Sequence, residues 1–149
     1  MIGTGDKEYM EKCKSYANEL GVWNNIVYQE QIEQKYLSKV YSLADFFLLP
    51  TEYEIFGMVL LEAMFYRTVV LTTNNGGSST LVEDNRNGYI LESMEPQAWA
   101  EKVYGITVEQ KNSLKEAAHN TIAKQYMWDS LTDSFLECYR NIGVEQSEK

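Results

Sequence analysis

Residues 44–64 read ADFFLLPTEYEIFGMVLLEAM, and residues 68–91 read TVVLTTNNGGSSTLVEDNRNGYIL. The run Phe46 to Leu49 is continuously apolar and closed by Pro50, the pattern of a buried parallel strand. Gly57 to Tyr66 then has helical character, and Thr68 to Thr72 is a second strand. NNGGSS has the composition of a loop, Thr80 to Glu83 of a short helix, and Gly88 to Leu91 of a third strand. Upstream, Tyr9, Met10, Cys13, Tyr16, Ala17 and Leu20 recur at helical spacing, with Gly21 as a stop. Asn25 to Gln29 contains IVY and predicts a short strand. Tyr36, Leu37, Val40, Tyr41 and Ala44 form another helical face. Everything after Pro96 is helical, ending on a stripe of Trp128, Leu131, Phe135, Tyr139 and Ile142. Alternation of this kind predicts an α/β fold: a Rossmann-like parallel sheet with helices on both faces. Residues 1–143 form one domain, and 144–149 a polar, frayed tail.

The bulk numbers narrow the function classes. A chain of 149 residues is one domain's worth, and 44% hydrophobic residues suffice for a packed core. The net charge of −9 argues against nucleic acid as a partner, because phosphate binding needs clustered Lys and Arg. It also argues against docking on an anionic membrane. No apolar run reaches the roughly 18 residues of a transmembrane helix. MIGTGDKEYM has no basic stretch followed by an apolar core, so it is not a secretory signal. Cys13 and Cys138 fit no disulfide framework and read as fillers of helix faces in a reducing, cytoplasmic compartment. With His119 as its single histidine, the chain has little from which to build a zinc site or a Ser/His/Asp triad.

In such sheets ligands bind beyond the carboxyl ends of the strands. Three strand-to-helix turns carry unusual residues there: Gly3-Thr4-Gly5, Thr51 to Gly57, and Asn74 to Ser79. The helix after Gly57 is apolar nearly all round and so predicted to be buried, with Glu62 its single acid or base. A buried carboxylate needs donors. The free N–H groups and positive dipole end at the helix start suit a phosphate, and a carboxylate a turn further on suits a ribose diol. Glu54, just before the helix, can reach a sugar beyond the phosphates, and Gly57 allows close backbone approach. The competing reading is that Glu62 pairs with a core arginine or caps neighbouring backbone. Gly3-Thr4-Gly5 begins a GxG, but Glu8 stands where GxGxxG needs its third glycine, leaving a backbone turn near a ligand or a plain structural turn. Ser78 and Ser79 read as helix N-caps before phosphate ligands. His119 reads as a packing or surface residue, and Glu83 to Arg86 as a solvated turn.

The order of strand, proline, Glu54, Phe56-Gly57 and Glu62 resembles the E-x7-E motif of family 4 glycosyltransferases. The following strand, GG loop and NG turn match as well, as do the upstream IGTG, NNIVYQ and YLSKVYSLADFFLLP and the late Met127-Trp128. The resemblance covers essentially the whole chain, and implies the donor-binding, C-terminal half of a GT-B enzyme. On it, Glu62 holds the ribose of a nucleotide-sugar, and Glu54, the candidate catalytic residue, contacts the donor sugar. Backbone at Gly57, Met58 and Val59 cradles the diphosphate. Gly76 and Gly77 pass close to the sugar or phosphates, and Gly3 and Gly5 lie near the donor. The resemblance further implies retention of anomeric configuration, no metal and no cofactor besides the donor, and base contacts made largely by backbone.

Two positions and one missing unit depart from the family pattern. Thr80 stands near where relatives often carry a glutamate, and Arg67 where a glycine or small residue is usual. The basic residues of the first strand-helix unit are absent because that unit, roughly 30 residues, appears only as its end at IGTG. The expectation is therefore a donor domain for polysaccharide or glycoconjugate synthesis, without its acceptor domain and catalytically incomplete alone. The alternatives are a non-catalytic remnant or a generic nucleotide-binding module. A lost strand would expose a sheet edge, which predicts self-association.

Overall fold

The computed structural model describes residues 1–147. They fall into two compact units, Met1–Leu37 and Ser38–Lys149.

In the first unit, α1 (Lys7–Glu19) is capped by Asp6, whose carboxylate accepts the Tyr9 N–H at 2.9 Å. Gly21, with φ 69°, ends it as the sequence predicts. The expected strand at Asn25 to Gln29 is not formed. Trp23–Asn25 is a 3-10 turn instead, and Ile2 and Gln29 make a single parallel bridge. Gln29 N–H donates to the Met1 carbonyl at 3.0 Å and Gly3 N–H to the Gln29 carbonyl at 3.1 Å, and the pairing goes no further than this bridge. The helix α2 (Gln34–Leu43) spans the division between the units.

The second unit holds β1 (Phe46–Leu49), β2 (Val69–Thr73) and β3 (Tyr89–Leu91), all parallel and in that spatial order. Phe46 pairs with Val69, and Leu71 with Tyr89. The α/β class, with a parallel sheet flanked by helices, is as predicted. The central β2 is buried along its whole length. Its threonines carry their hydroxyls inside because each finds a carbonyl: Thr72 Oγ1 donates to Leu49 O at 3.2 Å, and Thr73 Oγ1 to Thr51 O. Val69 and Leu71 point to one face and pack with Tyr89, Trp99 and Leu114, drawn from β3, α5 (Pro96–Gly105) and α6 (Val108–Gln125). Val70, of opposite parity, faces Gly88 and Val82. A Cβ on Gly88 would lie 2.6 Å from Val70 Cγ2, so the NG turn needs glycine for packing.

One burial expectation changes. The strand β1 is an edge strand, not an interior one, and Leu48 is 47% exposed. The apolar stripe of α7 (Trp128–Ser147) is also solvent-facing: Trp128, Phe135, Tyr139 and Ile142 are all exposed. An apolar period fixes which residues share a face, not whether another element covers it. The predicted polar tail at 144–149 is helical as far as Ser147, and its last two residues lie outside the described ones.

Candidate functional site

The loop from Pro50 to Gly57 joins β1 to α3 (Met58–Phe65), and residues 74–75 join β2 to α4 (Gly76–Leu81). Both connections leave the carboxyl ends of parallel strands, the edge where α/β sheets bind ligands. They are locked together through backbone. Gly77 N–H donates to the Glu54 carbonyl at 2.8 Å. Asn75 Nδ2 donates to Thr51 O and Thr73 O, both at 3.2 Å.

The helix α4 corrects the expected position of a loop and helix here. It begins at Gly76, so the two glycines are its first turn and not part of a loop. The cap is Asn75, not Ser78 or Ser79. Asn75 Oδ1 accepts the Ser78 N–H at 2.9 Å, and Ser78 Oγ accepts the Asn75 N–H at 2.8 Å, a reciprocal capping box. A Cβ on Gly76 would meet the Glu54 carbonyl at 3.0 Å; one on Gly77 would lie 2.8 Å from Glu54 Cγ and 2.9 Å from Gly57 N. These glycines thus bring two helix starts into contact.

Glu54 is half-buried, and its Oε1 accepts the N–H groups of Ile55 at 3.1 Å and Gly57 at 3.2 Å. Gly57 is the N-cap of α3 with φ 85°, a conformation that favours glycine. Its N–H is thus engaged by Glu54. Among the described residues, the N–H groups of Met58 and Val59 make no intrachain hydrogen bond, as the first turn of a helix leaves them. The predicted burial of this helix holds for Leu60, Ala63 and Met64, but Met58 and Val59 are exposed. The helix packs one side on the sheet and α6 and presents its start to solvent.

Glu62 is half-buried, and its partner is neither an arginine nor backbone. Tyr41 Oη donates to Glu62 Oε2 at 3.0 Å. Burial, with the Glu62 charge beside it, pushes the Tyr41 phenol above the ordinary tyrosine range. Sequence periodicity placed Tyr41 on an apolar helix face and carried no sign of this contact.

The structure therefore gathers Glu54, Gly57, Gly76 and Gly77, with Met58, Val59 and Glu62 on the same helix. Gly3 and Gly5 belong to the first unit. There Tyr28 Oη donates to the Gly3 carbonyl at 2.9 Å. His119 is a packing residue: its Nδ1 lies 2.6 Å from the Phe65 carbonyl and its ring 5.3 Å from the Phe65 ring. Among the described residues no three His, Cys, Asp or Glu side chains gather as a metal site, and no helix is long and apolar enough to cross a membrane.

Residues 1–125 match the model of the family described as glycosyl transferases group 1. The chain belongs to this family. A D-inositol 3-phosphate glycosyltransferase from Corynebacterium urealyticum is 29% identical over 140 residues, covering 92% of this chain and 33% of its own length. A glycogen synthase from Thermodesulfovibrio yellowstonii is 26% identical, covering 99% of this chain and 30% of its own length. The chain thus spans about a third of these relatives. Among solved structures, Anabaena HepE in complex with UDP-glucose superimposes with a TM-score of 0.80 at 18% identity, over 94% of this chain and 40% of that one. The C-terminal domain of the Francisella tularensis group 1 glycosyl transferase LpcC does so with a TM-score of 0.75 at 20% identity, over 83% of this chain and 65% of that one. The fold of this group 1 glycosyl transferase chain is that of the GT-B C-terminal domain.

Proposed function

We propose that this chain is the donor domain of a family 4 hexosyltransferase that binds a nucleotide-diphosphate sugar for retaining transfer in polysaccharide or glycoconjugate synthesis. One observation carries the reading. Glu54 and the starts of α3 and α4 are locked at the carboxyl ends of β1 and β2, and Glu62 stands on α3 about one turn beyond its free N–H groups. A diphosphate fits the helix starts, with the ribose diol on Glu62 and the sugar toward Glu54. Glu54 Oε1 already bonds the loop backbone, so Glu54 would hold the α3 entry and meet the sugar with its other oxygen. On this reading Gly57 acts by its backbone conformation, while Met58 and Val59 supply the N–H groups. Gly76 and Gly77 hold the second helix start close by.

Helix dipoles supply positive potential without a metal ion. Anabaena HepE, of the same fold, was solved with UDP-glucose, which favours a nucleotide-sugar over a generic nucleotide. Transfer on this reading needs an acceptor domain beyond this chain, as the chain's 33% share of the corynebacterial relative supports. Free Cys13 and Cys138 support a reducing, cytoplasmic setting. The edge strand β1, with Leu48 exposed, supports self-association.

Ligand-observed NMR with UDP, GDP, ADP and their sugar conjugates tests the reading. Binding of one nucleotide-sugar, weakened by Glu62→Ala, is expected. A folded chain that binds none of them is a non-catalytic remnant. Equal binding of free phosphate and every nucleotide, unaffected by Glu62→Ala, would leave a generic phosphate module.

A further inference from the structure

Of the 11 tyrosines, Tyr41 is held from several sides. It is 9% exposed. Its ring stacks on Tyr66 with centroids 6.1 Å apart and meets Phe47 edge-on at 5.8 Å. Its carbonyl accepts the hydroxyl of buried Thr68 at 2.7 Å, which fixes the backbone from β2's side. A ring so packed has little rotamer freedom, and its hydroxyl is aimed at Glu62 Oε2. A phenol is protonated at neutral pH, and burial and the neighbouring carboxylate disfavour its phenolate further, so Tyr41 acts as a donor. Among the described residues no other protein group donates to the Glu62 carboxylate.

A glutamate has three rotatable side-chain bonds, and ordering them against solvent costs rotamer entropy. A hydrogen bond from a fixed phenol to one carboxylate oxygen removes much of that freedom before a ligand arrives. The second oxygen stays available to accept.

We propose that Tyr41 is a positioning residue for donor recognition: it holds the Glu62 carboxylate so that its second oxygen receives a ribose hydroxyl. The proposal rests on the reading that Glu62 takes the ribose, and deepens it. Tyr41 touches no ligand in this account. It acts by preorganisation, so its loss weakens whatever depends on the orientation of Glu62 and nothing else.

The test compares a nucleoside diphosphate with its 2′,3′-dideoxy counterpart, for whichever of UDP, GDP and ADP the intact chain binds. Tyr41→Phe keeps the ring and its packing and removes the hydroxyl alone. Its expected effect is about a tenfold rise in Kd for the ribonucleotide, the size of one charge-assisted hydrogen bond, with the dideoxy Kd unchanged. In a Glu62→Ala background the same substitution is expected to change neither Kd. Equal weakening of both ligands by Tyr41→Phe would make Tyr41 a general packing residue and overturn the proposal. So would no weakening of either. If Glu62→Ala itself leaves ribonucleotide binding intact, or no nucleotide binds, the ribose reading of Glu62 fails, and the role of Tyr41 fails with it. The single-mutant comparison on the ribonucleotide separates that failure from a failure of Tyr41 alone.

Discussion

Gly77 sits against Glu54 with no room between them: a Cβ on Gly77 would lie 2.8 Å from Glu54 Cγ, while its N–H donates to the Glu54 carbonyl at 2.8 Å. The helix start and the acidic loop are one rigid piece. Gly77→Ala must push the two apart, because the added carbon also meets backbone at Gly57 and Phe56. The expected cost is about 1–3 kcal/mol, typical of overpacking, read as a lower urea midpoint at unchanged slope. An unchanged midpoint would show that the contact yields freely.

Arg67 has φ 60°, a left-handed conformation that disfavours a side chain bearing Cβ. Its guanidinium pairs with Glu116 at 3.0 Å, but both side chains are largely exposed, so the pair adds little. Arg67→Gly is therefore expected to stabilise by about 1 kcal/mol, seen as a raised thermal midpoint. A drop in that midpoint would mean the ion pair outweighs the strain.

Asn87 is 1% exposed, and its side chain makes three hydrogen bonds. Its Oδ1 accepts the Glu83 N–H at 2.7 Å, and its Nδ2 donates to the Leu81 carbonyl at 3.2 Å and Thr121 Oγ1 at 3.1 Å. Asn87→Ala leaves the buried Leu81 carbonyl and the Glu83 N–H without this partner and is expected to destabilise by about 1–3 kcal/mol. Chemical denaturation measures it, and a loss under about 0.5 kcal/mol, the scale of an ordinary surface change, would contradict the account.

How much was legible beforehand follows the range of the interactions involved. The strands at 46–49 and 69–73 and the helix between them are set by local apolar patterning, and they formed within a residue or so of expectation. Glu54 and Gly57 were likewise visible, because proline, acid and glycine punctuate a strand-to-helix turn. The start of α4 was misplaced because two glycines weigh toward a loop, although Asn75 three residues before Ser78 was a capping signal in plain view. Tyr41 was invisible as a partner of Glu62: the two lie 21 residues apart on different helices, and periodicity carries no information about contacts between elements. The same limit hid the exposure of Leu48.

The Tyr41 phenol gives a pH signature. Its folded pKa lies above the ordinary 10.0 because burial, then the Glu62 charge, disfavours the phenolate. The unfolded chain therefore releases this proton first. Stability from neutral Tyr41 is fully present below pH 10.0 and is lost as pH rises beyond it. Ultraviolet titration of tyrosinate absorbance should show a late-ionising group that Glu62→Gln brings down. No change on that substitution would remove the Tyr41–Glu62 contact from the account.

A nucleotide-sugar bound across the starts of α3 and α4 would be sensed directly by the backbone amides there. The direct measurement is a titration of the isotope-labelled chain with UDP-glucose, GDP-mannose and ADP-glucose, followed by two-dimensional NMR of the backbone amides. The account predicts that one of them shifts the amides of Met58, Val59, Gly76 and Gly77 together, saturably, and that Glu62→Ala weakens the binding. Shifts confined to other parts of the chain, or none from a folded protein at millimolar ligand, would contradict it.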